Sequence, residues 1–270
     1  KFQVPDGTSG TFDPSKDFVT KLPDGTEITI PGGAANVPST ETSVRAVVTP
    51  TAKGLTNALA VIAMAEEGGF LYSPDVYMDK IAVGPGLLDG IVDLDNEPAD
   101  NLAALADAKG TKVTDLVVCM LDRPRHAELI AKIRETGARI RLIQDGDVSG
   151  VIAATQPEAG VDIFLGIGGA PQGVLAAAAL RGVGGQMQGR LVFRNNDQRT
   201  EAQRLGIEDL ERKYATENMA SGNVTFAATG VTYSDMLEGV RHVPGGAITH
   251  SMVLRSTTRT LRFIEGHHDF

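Results

Sequence analysis

Cysteine is nearly absent: Cys119 is the only one in 270 residues. No internal disulfide can form, and a reducing cytoplasm is the simplest compartment. Cys119 lies in the apolar run Leu116-Val117-Val118-Cys119-Met120 without an electropositive neighbour in sequence. It therefore reads as a small buried hydrophobe, not a nucleophile. Tryptophan is missing and aromatic residues make up only 5% of the chain, whereas glycine reaches 31 residues. That balance disfavours an all-β sandwich and favours an alanine- and glycine-rich α/β protein. Positive charge is in deficit, with a formal net charge of −9 and a pI near 5.1. Such a surface repels nucleic acid and anionic membrane, so neither is an expected partner. No apolar run approaches the ~18 residues that span a bilayer. The first residues lack the charged-then-apolar layout of a signal peptide. Position 1 is Lys, so the natural start is expected to lie upstream.

What is present suggests a chain with room for a large core and one or two domains. Residues 1–44 are rich in Pro, Gly, Thr and Asp. Runs at 17–20 and 26–30 flank Pro23-Asp24-Gly25 and read as a hairpin, followed by a loop or linker over 31–43. Next comes the apolar run from Asn57 to Ala65, then Glu66-Glu67-Gly68-Gly69 and Phe70-Leu71-Tyr72. Periodicity does not separate strand from buried helix there, and the glycine turn favours a second hairpin. A helix over 97–108 ends near Gly110. These parts suggest a unit over 45–110 and a second over 111–270, whose last hairpin is free to return to the first sheet.

From 111 onward strands and helices alternate: strands at 116–121, 138–143 and 161–165, helices at 124–136, 148–155 and 172–181. Strand–helix repeats with short connections predict a parallel sheet with right-handed crossings. A strand at 190–193, a charged helix at 200–213, a strand at 223–228 and a short helix at 234–240 capped by Ser234 follow. An antiparallel pair at 250–254 and 260–264 closes the chain.

Three junctions in this alternation carry polar groups suited to phosphate and sugar. Asp122-Arg123-Pro124-Arg125-His126, Asp145-Gly146-Asp147 and Gly166-Ile167-Gly168-Gly169-Ala170-Pro171-Gln172-Gly173 each follow a predicted strand. Ligands bind at the carboxyl ends of parallel strands, so all three are expected at one edge. Arg123 and Arg125 can hold a phosphate by bidentate bonds, and cations at a helix start oppose its dipole unless an anion is bound there. Asp145 and Asp147 can accept from sugar hydroxyls or sit near a cation, although Asp147 can equally cap the next helix. The glycine loop offers N–H groups to an anion; it matches neither the dinucleotide pattern nor a Walker loop. Tyr77 can hydrogen-bond a phosphate or be simply a half-buried aromatic. His126 is assigned to packing or a surface bond. His267-His268-Asp269 imitates a metal cluster, but adjacent side chains diverge, and a frayed terminus is expected.

The chain resembles the class II fructose-1,6-bisphosphatases of bacteria, including members that also accept sedoheptulose 1,7-bisphosphate. The resemblance runs from about Lys53 to His268. It is carried by Lys53-Gly54-Leu55-Thr56-Asn57-Ala58, Tyr77-Met78-Asp79-Lys80-Ile81, the arginine and aspartate motifs above with Arg139-Ile140-Arg141-Leu142-Ile143, the 166–173 loop and Ser251-Met252-Val253-Leu254-Arg255. It implies a layered α-β-α-β-α architecture like that of the lithium-sensitive sugar phosphatases, with a parallel sheet over 111–245 and a mixed sheet before it. It also implies hydrolysis of the 1-phosphate of fructose 1,6-bisphosphate in gluconeogenesis or central carbon metabolism, with Mn2+ or Mg2+. Substrate contacts then fall on Tyr77, Arg123, Pro124, Arg125, Asp145, Gly146, Asp147 and Gly169. A cytoplasmic homo-oligomer is expected.

The metals matter because phosphate monoester hydrolysis is among the slowest uncatalysed reactions, and the family answers with carboxylate-held cations. This chain departs from the pattern there. The family's Asp-Pro-Ile/Val-Asp/Glu-Gly-Thr motif falls on Ser43-Val44-Arg45-Ala46-Val47-Val48, which holds no carboxylate. Residues 1–42 do not resemble the region that carries the earlier acids. The last metal-ligating Glu aligns with Gln172, a neutral and weaker ligand for a hard cation. Three readings follow. The chain is a bisphosphatase whose missing acids come from elsewhere; it is an inactive relative that binds sugar bisphosphate; or the N-terminal segment supplies acids anew from Asp13, Asp17, Asp24 or Glu27.

Overall fold

The structure, a computed structural model, describes residues 56–270 apart from Asp235, and before them the backbone of five strands. Those strands are β1 (Phe2–Gln3), β2 (Ser9–Gly10), β3 (Phe18–Lys21), β4 (Glu27–Ile30) and β5 (Ser43–Val48). β3 and β4 pair antiparallel from Phe18↔Ile30 to Lys21↔Glu27, which is the first expected hairpin. Its Pro23-Asp24-Gly25 turn, residues 31–42, Lys53-Gly54 and the candidate acids Asp13, Asp17 and Asp24 lie outside the described residues, as does the side chain of Glu27.

β6 (Leu59–Ala65) is a strand, with buried and half-buried residues in strict alternation. Its partners differ from the expected hairpin. It pairs with β5 on one side and, on the other, with β13 (Val224–Gly230), nearly 160 residues away. Phe70 instead bridges to Ala220. β7 (Tyr77–Val83) enters the other large sheet, with the strands that follow 111. α1 (Pro98–Lys109) opens with Pro at its first turn and closes on Gly110 at φ 64°, a left-handed cap that glycine adopts without strain.

The alternation then runs β8 (Val117–Leu121), α2 (Ala127–Glu135), β9 (Arg139–Ile143), α3 (Asp147–Ala153), β10 (Ile163–Gly169) and α4 (Ala170–Val183). A single 3-10 turn, Pro124–His126, precedes α2. β11 (Gln186–Val192), α5 (Asn196–Arg204), β12 (Lys213–Ala215) and α6 (Thr216–Met219) lead to β13. β14 (Arg241–Val243), β15 (Gly246–Arg255) and β16 (Thr260–Asp269) complete the chain.

The first large sheet has the order β12-β11-β7-β10-β8-β9. Parallel pairing is confined to β10, β8 and β9, while β7, β11 and β12 run antiparallel to their neighbours. The parallel sheet expected over 111–245 is thus half of a mixed sheet. The second sheet, β14-β15-β13-β6-β5 with β16 beside β15, is antiparallel throughout, where a mixed sheet was expected. The reason lies in the connections: β7 has no crossover helix to a parallel neighbour, and β15 turns straight into β16.

Two helix expectations change as well. The charged helix expected at 200–213 starts earlier, where Asn195 caps it by accepting from the Gln198 N–H at 2.9 Å, and stops at Arg204, before Gly206 at φ 87°. The helix expected at 234–240 is not formed: Ser234 Oγ accepts from the Leu237 N–H at 2.9 Å and donates to its carbonyl at 2.8 Å, closing a local turn instead.

α4 occupies the space between the sheets, touching β13, β15 and β6 of one and β11, β10 and β7 of the other. Its alanines make that approach possible: Ala176 to Ala179 are all buried. They join Phe164, Phe226, Leu254 and Met252 in the larger core. A second core packs Leu102, Leu105, Ile130 and Ile133 of α1 and α2 against Ile81, Met120 and Leu165 on the opposite face of the mixed sheet. Among the described residues no helix is long and apolar enough to cross a membrane.

Candidate functional site

Five strand ends meet at one edge of the mixed sheet. β8 and β9 pair in parallel up to Leu121↔Ile143, so the residues just beyond them, Arg123 and Asp145, emerge side by side. β10 ends at Gly169, opposite the first residue of β7, Tyr77, and Tyr77 also pairs with Val192 at the end of β11. These ends surround a cleft of about 520 Å³. Tyr77, Arg123, Arg125, Asp145, Gly146, Asp147, Gly169 and Gln172 all line it. Pro124 does not; the residue before a proline is driven to extended backbone, and Arg123 is held at φ −139°, ψ 143°.

Each polar side chain has a definite partner. Arg123 Nη2 donates to Asp145 Oδ1 at 2.6 Å and its Nη1 to the Asp122 carbonyl at 2.8 Å. Arg125 donates from Nε and Nη2 to the Ile167 carbonyl at 3.0 and 2.7 Å, and its guanidinium lies 4.8 Å from the Tyr77 ring centre. Asp147, in the first turn of α3, bonds the ammonium of Lys80, whose side chain is wholly buried. A carboxylate at a helix start also suits the dipole. The turn before it needs glycine. Gly146 sits at φ 87°, and a Cβ there would lie 2.8 Å from Ser149 Oγ.

The glycine loop lies against these groups rather than standing free. A Cβ on Gly168 would collide with Asp147 Oδ2 and approach Lys80 Nζ to 2.9 Å, and one on Gly169 would collide with Gln172 Oε1. Asp147 and Gln172 thus bring their oxygens to consecutive glycines.

His126 is more than a surface group. It is buried, its Nδ1 lies 2.8 Å from the Leu121 carbonyl, and its Nε2 lies 2.8 Å from the Ile167 N–H. A backbone N–H can only donate, so Nε2 accepts, Nδ1 carries the proton, and the ring is neutral. It fixes the residue whose carbonyl anchors Arg125. Asp79, on the neighbouring strand, is half-buried, and burial raises its carboxyl above the usual 3.8 despite the Lys80 N–H and the positive charge of Arg190.

Three lining residues were not legible from local motifs. Arg194, two residues beyond β11, stacks 4.0 Å from the Tyr77 ring centre. Gln198 lines the cleft beside it and accepts from the Arg194 N–H at 2.7 Å. Asp75 precedes β7. The His267-His268-Asp269 tail, expected to fray, is part of β16, with His267 bonded to Glu265 and His268 to Thr249.

The described residues do not make a site for a divalent cation. Among them no group of three or more His, Cys, Asp or Glu could hold one. Asp145 and Asp147 are each engaged by a side-chain cation, and Gln172 adds only a neutral amide oxygen. The cleft as described is equipped to bind an anionic polyol, with arginines around Tyr77 and acceptors at Asp145 and Asp147.

Residues 30–268 match the family described as bacterial fructose-1,6-bisphosphatase, glpX-encoded. That match begins earlier than the motifs alone indicated and takes in β5. A D-fructose 1,6-bisphosphatase class 2/sedoheptulose 1,7-bisphosphatase of Synechococcus sp. (strain JA-3-3Ab) is 42% identical over 230 residues, 80% of this chain and 66% of that protein. The protein of the same name from Trichodesmium erythraeum (strain IMS101) is 40% identical over 232 residues, 81% of this chain and 67% of that one. The chain thus spans about two thirds of the length of these relatives. With a family match across nearly all of its described residues, the chain belongs to the bacterial class II fructose-1,6-bisphosphatases.

Proposed function

We propose that this chain is a sugar-bisphosphate phosphohydrolase that removes the 1-phosphate of fructose 1,6-bisphosphate, and accepts sedoheptulose 1,7-bisphosphate, in gluconeogenesis or central carbon metabolism. The carrying observation is the convergence of Arg123, Arg125, Asp145, Asp147 and Tyr77 on one cleft at the carboxyl ends of three parallel strands. Arg125, fixed through Ile167 and His126, offers a phosphate its remaining N–H groups. Asp145 and Asp147 accept from sugar hydroxyls. The family is metal-dependent. In this proposal Mn2+ or Mg2+ takes its carboxylates from outside the described residues, with Gln172 at the edge of that site.

The names of the relatives favour hydrolysis over a binding-only role. The same proposal includes the five-layer α-β-α-β-α arrangement. Half-buried Ile62 and Met64, alternating with the core-facing residues of β6, support an outer layer on the antiparallel sheet. It also includes a homo-oligomeric state and a cytoplasmic location, the latter supported by the lone buried thiol.

Phosphate release from fructose 1,6-bisphosphate with Mn2+ is the test. Turnover abolished by EDTA is the expected result. Tight binding of the bisphosphate without turnover would assign the chain to the binding-only role.

A further inference from the structure

We infer that Arg194 is a specificity-determining residue that clamps the retained phosphate of the sugar bisphosphate, together with Arg125 and Tyr77. The inference rests on the reading of the cleft as a sugar-bisphosphate site and assigns one end of it.

The charges in the cleft are unevenly matched. Arg123 is paired with Asp145, and Lys80 with Asp147. Arg125 and Arg194 form no ion pair with a carboxylate among the described residues, yet both guanidiniums lie within 4.8 Å of the same ring. Two cations sharing one aromatic ring repel each other, and the ring offsets only part of that. In a chain of net charge −9 this end of the cleft is locally positive. A dianion between the two guanidiniums removes the conflict.

The direction of approach matters as much as the charge. Tyr77 begins β7; Arg194 follows β11 on one side of it, and Arg125 reaches it across β10 on the other. A phosphate above Tyr77 is therefore bracketed from both sides along the sheet. Both arms have fixed bases. Arg125 is anchored on the Ile167 carbonyl. The Arg194 N–H is bonded to Gln198, whose own N–H is capped by Asn195, so the start of α5 sets where the Arg194 side chain begins.

The chemistry says which phosphate belongs there. A phosphoryl group that stays on the sugar undergoes no bond change. It needs only charge, hydrogen bonds and a wall, which two arginines and a tyrosine supply. The scissile group belongs at the opposite end, beside Asp147 and Gln172. The spacing between Arg194 and those acceptors then limits the length of the ketose chain.

Calorimetric titration of the full chain with fructose 6-phosphate tests this, using wild type, Arg194→Ala and Arg194→Lys. The Ala variant is expected to lose about tenfold or more in affinity, the scale of a lost charge-assisted bond. The Lys variant should fall between, because it keeps the charge and loses the planar stack. Wild-type affinity in Arg194→Ala would overturn the assignment while leaving the cleft reading intact. If wild type binds neither fructose 6-phosphate nor fructose 1,6-bisphosphate, both fall together.

Discussion

Arg123 Nη2 lies 2.6 Å from Asp145 Oδ1, and that bond joins the tips of two neighbouring parallel strands. Both side chains remain partly open to solvent. The pair therefore contributes little to stability, and we propose that its effect is on the ligand. In the proposed function, a sugar hydroxyl or phosphate oxygen entering the cleft would meet a guanidinium already oriented by Asp145 and by the Asp122 carbonyl. Part of the ordering entropy is thus spent before binding.

The Lys80–Asp147 pair behaves differently because it is buried. Removing one partner leaves the other charge stranded, at a cost of about 3–5 kcal/mol. Lys80→Met should lower the urea midpoint accordingly, whereas Lys80→Met with Asp147→Leu should recover most of the loss. Equal midpoints for wild type and the single variant would show that the pair carries no such weight.

Asp79 gives stability a pH dependence of unusual sign for a carboxylate. Burial raises its folded-state pKa above 3.8, so the folded chain holds the proton more tightly than the unfolded one. Its contribution to stability therefore falls as pH rises from about 3.8 through the raised value, and stays reduced above it. Asp79→Asn keeps an oxygen for the Lys80 N–H, now accepted at 3.0 Å by Oδ1. It should be more stable than wild type at neutral pH and equal to it in acid. Parallel denaturation curves across the range for the two proteins would refute this.

His126→Leu removes the acceptor of the Ile167 N–H and the donor to the Leu121 carbonyl. Each buried group left unpaired costs about 1–3 kcal/mol. Because Ile167 also anchors Arg125, affinity for fructose 6-phosphate should drop along with the melting temperature. A variant that melts early yet binds as well as wild type would confine His126 to folding.

Gln172→Glu places an anionic oxygen against Gly169, in the cleft that Asp147 also lines. Hard cations prefer such oxygens to a neutral amide. Calorimetric titration with Mn2+ should show tighter binding than in wild type. Identical titrations would put the cation's ligands away from position 172.

The strand–helix alternation from β8 to α4 was legible because each strand is a short apolar run and each helix is bounded by Pro, Gly or a polar cap. The same runs placed Arg123, Asp145 and Gly169 at one edge. The hairpin expected from Asn57 to Tyr72 failed because the partner of β6 is β13, and no local signal reveals a pairing between Ala65 and Val224. The expected helix at 234–240 failed because Ser234 bonds its own turn. There a Cβ on Gly239 would also lie 2.6 Å from the Thr232 carbonyl carbon. Arg194 carries no local sequence signal for a related reason. Nothing around Phe193-Arg194-Asn195 looks like a motif; its position depends on the register Val192↔Tyr77, which is a tertiary fact.

Helix α4 meets the mixed sheet at Gly173, where a Cβ would come within 2.5 Å of Met78 Sδ. It meets the antiparallel sheet at Gly182, where a Cβ would lie 2.8 Å from that of Leu254. Its first turn carries Gln172 into the cleft. One added methyl on either side therefore overpacks the seam between helix and sheet, beside the groups that line the cleft. In a saturation-mutagenesis map of this protein, intolerance should peak at its tiniest residues, with the conspicuous charged helix α5 far more permissive.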